Sequence, residues 1–225
     1  MGINFQSAHH TEVFSPEHAE RVAASLRKRF GPGIRLGKPG NAFCMRDEMG
    51  WSWWSTLGAT AAEMLGEAET RQLRAVDAWQ GVYVDAAVDR ELLWPDGKPA
   101  APRAAATVGK PSFAARLLKL VGLAPRNDVP PEVRRAMDEM VRAYGAREGE
   151  HGAVQVGSLP KLIAEAEALL RHLQVQPTAA GVEAMLAPYA ADDRCDDDPH
   201  IQCLGHLWIT ATHALQNGQP LWLVK

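Results

Sequence analysis

The stretch GWSWWSTLG, residues 50–58, places three tryptophans within four positions of a 225-residue chain that has seven tryptophans in all. Tryptophan favours β-strands, and Gly50 can adopt the positive φ that a short hairpin loop requires. We therefore predict that NAFCMRD (residues 41–47) and WSWWST (residues 51–56) form a β-hairpin whose loop is residues 48–50.

Alternate side chains of a strand face opposite sides of a sheet. In the predicted hairpin, Trp51 and Trp53 share the core face, whereas Trp54 lies on the opposite face, diagonal to Arg46. Tryptophan and arginine are enriched in the residues that dominate binding energy at protein interfaces. Trp54 and Arg46 are therefore candidate partner-binding residues. The alternative is that Trp54 lies under a second layer of the fold or is covered only by Arg46.

Helix and strand signals extend in both directions from this stretch. Ser15 and Pro16 mark the beginning of a helix that Gly31 ends, and hydrophobic residues then recur at helical spacing through residues 59–80. The segments GVYVD, ELLW and PLWLVK (residues 81–85, 91–94 and 220–225) are typical of strands, as is IRLG at residues 34–37. In the second half, further helices are predicted at residues 112–122, 131–144, 158–173 and 198–217.

Together these signals predict an α+β fold. The sheet is expected to be small and antiparallel, built mainly from residues 34–94 plus a C-terminal strand, and packed against helices that come mostly from the second half. Residues 95–111, PDGKPAAPRAAATVGKP, have no hydrophobic period and are predicted to be a loop or linker. This gives an N-terminal half at residues 1–94 and a mainly helical half at residues 112–225, which can also form one compact domain.

Composition excludes several classes of protein. The formal net charge is −3, whereas a general nucleic-acid binder needs a basic surface. No apolar run approaches the roughly 18–20 residues of a membrane-spanning helix, and the first residues lack the pattern of a secretory signal. Three cysteines form no disulfide framework. We therefore expect a cytoplasmic protein that does not bind membranes, and the alanine- and arginine-rich composition suggests a bacterial source.

The segment DDRCDDDPHIQCLGH, residues 192–206, contains four residues of zinc-ligand type: Cys195, His200, Cys203 and His206. Their spacing is not a common zinc-finger pattern. On a helix, His200 and His206 point about 120° apart, so the pair cannot easily hold one ion. We expect no metal and no cofactor, and these four residues are the candidate ligands if a metal does bind.

The same segment is strongly acidic. Asp198 is explained as the residue that precedes a helix, but Asp192, Asp193, Asp196 and Asp197 are not needed for that role. Five carboxylates within seven residues repel one another unless a cation or a basic partner neutralises them. These four aspartates are therefore candidate partner-binding residues, although a solvated loop without a partner would have the same sequence.

No motif in the chain identifies a reaction. The nucleophile elbow, the zinc-protease helix and the glycine-rich dinucleotide-binding loop are all absent from the sequence. The sequence favours a non-catalytic protein-binding module, with an immunity-type inhibitor that neutralises a bacterial toxin through an acidic, Trp/Arg-bearing surface as the specific hypothesis. The first alternative is a divalent-metal-dependent hydrolase that uses residues 192–200. The second is a regulatory domain whose residues 95–111 become ordered on binding a partner.

Overall fold

The computed structural model describes residues 2–40, 44–74, 80–93, 99–100, 154–190 and 198–224. These residues belong to one compact unit made from residues 1–100 and 153–225. The predicted helices at residues 112–122 and 131–144 lie outside the described residues, as does the predicted linker at 95–111 apart from residues 99–100. The division of the chain into two halves therefore stays a prediction.

Strands and helices alternate irregularly along the described chain. The helices are α1 (His10–Val13), α2 (Pro16–Phe30), α3 (Trp51–Leu65), α4 (Leu159–His172), α5 (Ala179–Ala190) and α6 (Pro199–Gln216). A short 3₁₀ helix covers Glu67–Glu69. The strands are β1 (Gly2–Ser7), β2 (Cys44–Gly50), β3 (Gln80–Val84), β4 (Glu91–Leu93), β5 (Pro99–Ala100), β6 (Val154–Ser158) and β7 (Leu221–Val224).

Within the described residues, the strands form a single seven-stranded sheet in the order β2-β1-β7-β3-β6-β4-β5. All neighbouring pairs are antiparallel except β3 and β6, which run parallel. The predicted α+β class is confirmed, but the prediction of a small, purely antiparallel sheet is wrong. The sheet is larger because β1 and β6 contribute to it, and neither was predicted from the sequence.

Helices cover both faces of the sheet. Side chains that alternate along β3 separate the two cores: Val82 and Val84 pack with α2, whereas Tyr83 packs with the layer formed by α3, α4, α5 and α6. The strand β7 lies between β1 and β3, and its Leu221, Trp222 and Leu223 are all buried. The strand β7 therefore lies inside the sheet and joins β1 and β2 to the other strands.

The predicted tryptophan hairpin is wrong. Gly50 ends β2, and residues 51–65 form α3 rather than a second strand. Trp54, Leu57 and Ala61 recur at intervals of three and four residues, and all three are fully buried. The three side chains form one face of α3, which continues into an alanine-rich segment and packs in the helical layer. This packing outweighs the strand preference of tryptophan.

Other predicted elements agree with the structure within a few residues. Helix α2 begins and ends where its cap signals indicate, and α4, α6, β3, β4 and β7 lie where they were predicted. The helix predicted through residue 80 instead ends at Leu65, because Gly66 has a φ of 93° that a helix cannot contain. Residues 34–37 are not a strand. Among the described helices, none has both the length and the apolarity that crossing a bilayer requires.

Candidate functional site

Trp54 does not lie on the surface. Its side chain is fully buried, and its ring meets the ring of Phe5 edge-to-face with 5.7 Å between centroids. A buried indole in the core offers no area to a partner, so the structure corrects the assignment of Trp54 to a binding surface. Arg46 has its backbone in β2, opposite Phe5, but its side chain lies outside the described residues.

The acidic segment begins and ends at a corner between two helices. Asp192, Asp193, Asp196 and Asp197 lie outside the described residues, whereas Tyr189 and Asp198 on either side are described. The Tyr189 hydroxyl donates a hydrogen bond to Oδ2 of Asp198 at 3.1 Å. This bond joins the end of α5 to the residue that precedes α6, so the chain leaves and re-enters the described structure at one place. We call this place the acidic corner, residues 189–198.

The candidate zinc ligands separate in the structure. Cys195 lies outside the described residues, and His200 is half-buried in the first turn of α6. Cys203 is fully buried in the core, where burial raises the pKa of its thiol and favours the neutral form. His206 is half-buried on the next turn. Over the described residues, no group of three or more His, Cys, Asp or Glu side chains is close enough to hold a metal ion.

A polar cleft lies at the carboxyl ends of the two parallel strands. Val84 pairs with Ser158 where β3 and β6 end, and the Ser158 hydroxyl then caps α4 by accepting a hydrogen bond from the backbone N–H of Lys161. Crevices at the carboxyl ends of parallel strands are common ligand sites. The cleft has a volume of about 390 Å³ and is lined by Ala68, Glu69, Arg71, Gln72, Asp89, Arg90, Lys161, Ala164 and Glu165.

The floor of the cleft is held by Gln72. Its side-chain Oε1 accepts a hydrogen bond from the backbone N–H of Ser158 at 3.1 Å, and its carbonyl accepts one from the hydroxyl of Tyr83 at 2.6 Å. The backbone N–H groups of Gln72 and Leu73 both donate to Oε2 of Glu165, at 2.7 and 3.0 Å. The turn at residues 70–74 is therefore tied to β3, to the end of β6 and to α4.

Arg90 and Lys161 make charged contacts at the cleft. Arg90 donates hydrogen bonds to the carbonyl of Arg71 at 3.0 Å and to Oε1 of Gln155 at 2.9 Å. Lys161 forms an ion pair with Asp89 at 2.8 Å, and this partner lowers the pKa of the Asp89 carboxyl. Burial raises the pKa of Glu165, although the two backbone N–H donors oppose that shift. Positive and negative groups thus line one small volume.

A second polar cluster lies where β1 ends. The Ser7 hydroxyl donates to Oε1 of Gln219 at 2.8 Å, and Nδ1 of His213 lies 3.0 Å from the hydroxyl oxygen of Ser7. Ser7 and Gln219 are both fully buried. A serine with no exposed surface cannot reach a substrate, so we interpret this cluster as a structural link between β1, α6 and β7.

One signal for the cleft is present in the sequence but does not enter the predictions above. The segment VQVGSLPKL, residues 154–162, has a short apolar strand followed directly by a serine cap and a proline in the first turn of a helix. Had this strand been recognised, the end of GVYVD would have been its natural neighbour. The contribution of Gln72 and Glu165 has no comparable sequence signal, because both act through contacts between residues far apart in the chain.

Comparison of this chain with protein-family models, with curated proteins and with solved structures found no match.

Proposed function

We propose that this protein is a non-catalytic protein-binding module of the immunity type, which neutralises a toxin by covering a basic surface with its acidic corner. The observation that carries the proposal is the hydrogen bond between Tyr189 and Asp198, which anchors both ends of the acidic segment at one place. Four further aspartates fall within that segment: Asp192, Asp193, Asp196 and Asp197.

The surrounding sequence does not balance this charge. Residues 173–224 contain six carboxylates and one arginine, Arg194. Helix α6 has no Asp, Glu, Lys or Arg, and Glu183 is the only such residue in α5. The acidic corner therefore depends on other elements, or on a partner, for positive charge.

The helices packed against α6 have few cations available. Helix α3 contains Glu63 and no basic residue, and α4 contributes Lys161 and Arg171. Lys161 is paired with Asp89, and Arg171 is paired with Glu167 one turn earlier on the same helix. Apart from Arg194 in the segment itself, α3, α4 and α5 thus offer no unpaired lysine or arginine, and an acidic segment of this kind favours encounter with a basic protein, because complementary charge accelerates association and disfavours wrong partners. The basic active-site cleft of a nuclease is one surface of this kind.

The test measures association with the product of the gene adjacent to the one that encodes this chain. The variant Asp193→Asn/Asp196→Asn/Asp197→Asn removes three charges from the acidic corner. A charge-matched control, Glu17→Gln/Glu20→Gln/Glu63→Gln, removes three exposed charges elsewhere. We expect the first variant to associate roughly tenfold more slowly at low salt and the control to associate at the wild-type rate.

Association rates measured at several ionic strengths distinguish long-range attraction between charges from the loss of a direct contact. The difference between wild type and the acidic-corner variant should shrink as salt is added, because screening weakens long-range attraction. Equal association rates for the two proteins at low salt would contradict the proposal, and so would a failure of wild type to bind the adjacent gene's product.

A further inference from the structure

We propose that the cleft at the carboxyl ends of β3 and β6 binds a small zwitterion of the α-amino acid class. The ammonium group would lie at Glu165 and Glu69, and the carboxylate at Arg71. This site is separate from the acidic corner and does not depend on the protein-binding function proposed above.

Size and lining indicate a small, charged ligand. The volume of about 390 Å³ lies near the lower end of the roughly 300–1,000 Å³ typical of small-molecule sites. Ala68 and Ala164 are the only apolar residues that line the described cleft, so an extended apolar ligand would find little to contact. The remaining lining residues are polar or charged.

Glu165 has two carboxylate oxygens, and the described fold uses only one of them as a hydrogen-bond acceptor. Its Oε2 accepts two backbone hydrogen bonds, whereas within the described residues Oε1 accepts none. The side chain is half-buried; the guanidinium of Arg90 attracts its carboxylate, and the carboxylate of Glu69 repels it to a smaller extent. A cationic group placed between these two carboxylates would relieve that repulsion and replace the water that burial removes.

Arg71 supplies the opposite charge. Its carbonyl is fixed by Arg90, but its exposed guanidinium forms no hydrogen bond or ion pair with any described residue. Of the other two cations that line the cleft, Lys161 is paired with Asp89, and Arg90 donates to the carbonyl of Arg71 and to Gln155. The guanidinium of Arg71 is thus the rim cation available to a ligand carboxylate, which it can bind through two parallel N–H donors.

The balance of charge favours a zwitterion over a simple ion. Three carboxylates and three cationic side chains line the cleft, so an anion alone would be repelled by Glu69 and Glu165, and a cation alone by Arg71.

The experiment is titration calorimetry of the full chain with each of the free amino acids. Acetate and methylammonium serve as probes that carry only one of the two charges. We expect at least one amino acid to bind, with acetate and methylammonium binding at least about tenfold more weakly because each meets only half of the site. Binding should also raise the melting temperature.

The variants separate binding at the cleft from a general effect on folding. Arg71→Gln should weaken amino acid binding at least about tenfold while leaving the melting temperature of the free protein unchanged, because the side chain is exposed and unpaired. Arg21→Gln, an exposed arginine on α2, is the matched control and should bind like wild type.

Three results would each overturn the inference. They are the absence of binding by every amino acid, equal affinity for acetate and the best amino acid, and equal affinity of Arg71→Gln and wild type. None of these results bears on the acidic corner, whose variants change no residue that lines the cleft.

Discussion

Replacing Gly157 with alanine should destabilise the protein, because the cleft floor leaves no room for a side chain at this position. A Cβ there would lie 2.5 Å from Oε1 of Gln72 and 2.5 Å from two ring carbons of Tyr83. Both neighbours are buried and joined by the hydrogen bond from the Tyr83 hydroxyl to the Gln72 carbonyl. Neither can move away without breaking a contact that holds the turn at residues 70–74.

The magnitude follows from two costs. Overpacking a core by one methyl group costs about 1–3 kcal/mol. If Gln72 shifts, the buried N–H of Ser158 loses its acceptor, which costs about a further 1–3 kcal/mol. We therefore expect the free energy of unfolding to fall by about 2–6 kcal/mol, which corresponds to a melting temperature roughly 5–20 °C lower for a chain of this size.

The assay is urea unfolding followed by tryptophan fluorescence. Gly33→Ala is the matched control, because no heavy atom lies within 4 Å of the Cβ position at Gly33 and its φ is not positive. The control should change the free energy of unfolding by less than about 0.5 kcal/mol or stabilise the protein slightly. If the free energy of unfolding of Gly157→Ala also stays within about 0.5 kcal/mol of wild type, then Gln72 and Tyr83 are not held in place as described, and the turn at residues 70–74 can move.

Three further results are expected. Trp54→Ala should lower the free energy of unfolding by about 3–5 kcal/mol in urea titrations, because it empties a fully buried site, and Trp54→Phe should lower it less. A smaller change for the alanine variant than for the phenylalanine variant would show that the indole is not core. Burial lowers the pKa of His9 and His10, so their contribution to stability is complete above pH 6.5 and is lost as the pH falls through the lowered values. Unfolding free energies measured on both sides of pH 6.5 should show this loss, and His9→Gln/His10→Gln should show less of it; an equal loss in the variant would contradict the assignment. Tyr83→Phe should cost about 1–3 kcal/mol by the same urea assay, because a buried carbonyl loses its donor, and an unchanged midpoint would argue against that hydrogen bond.

Local signals in the sequence predicted individual elements well where the chain carries both a hydrophobic period and end signals. Helix α4 coincides with the predicted amphipathic stripe and has Ser158 as its cap. Helix α6 begins at Pro199 and ends before Asn217. The prediction for the tryptophan stretch is wrong because its residue types favour strands while their spacing is helical, and burial of Trp54 against Phe5 decides the outcome. Two features were visible in the sequence without any structure: it lacks the catalytic motifs named above, and it contains the acidic segment before α6.

By itself, the sequence determined the α+β class, the positions of α2, α4 and α6, and the concentration of aspartates before α6. Only the tertiary structure decided that β3 and β6 run parallel, that β7 lies between β1 and β3, and that Gln72, Glu165 and Arg71 line one cleft. The physical reason is the distance along the chain over which each kind of interaction acts. Periodicity and capping act between residues a few positions apart, whereas Glu165 and Gln72 are 93 residues apart and meet only because the sheet brings their elements together.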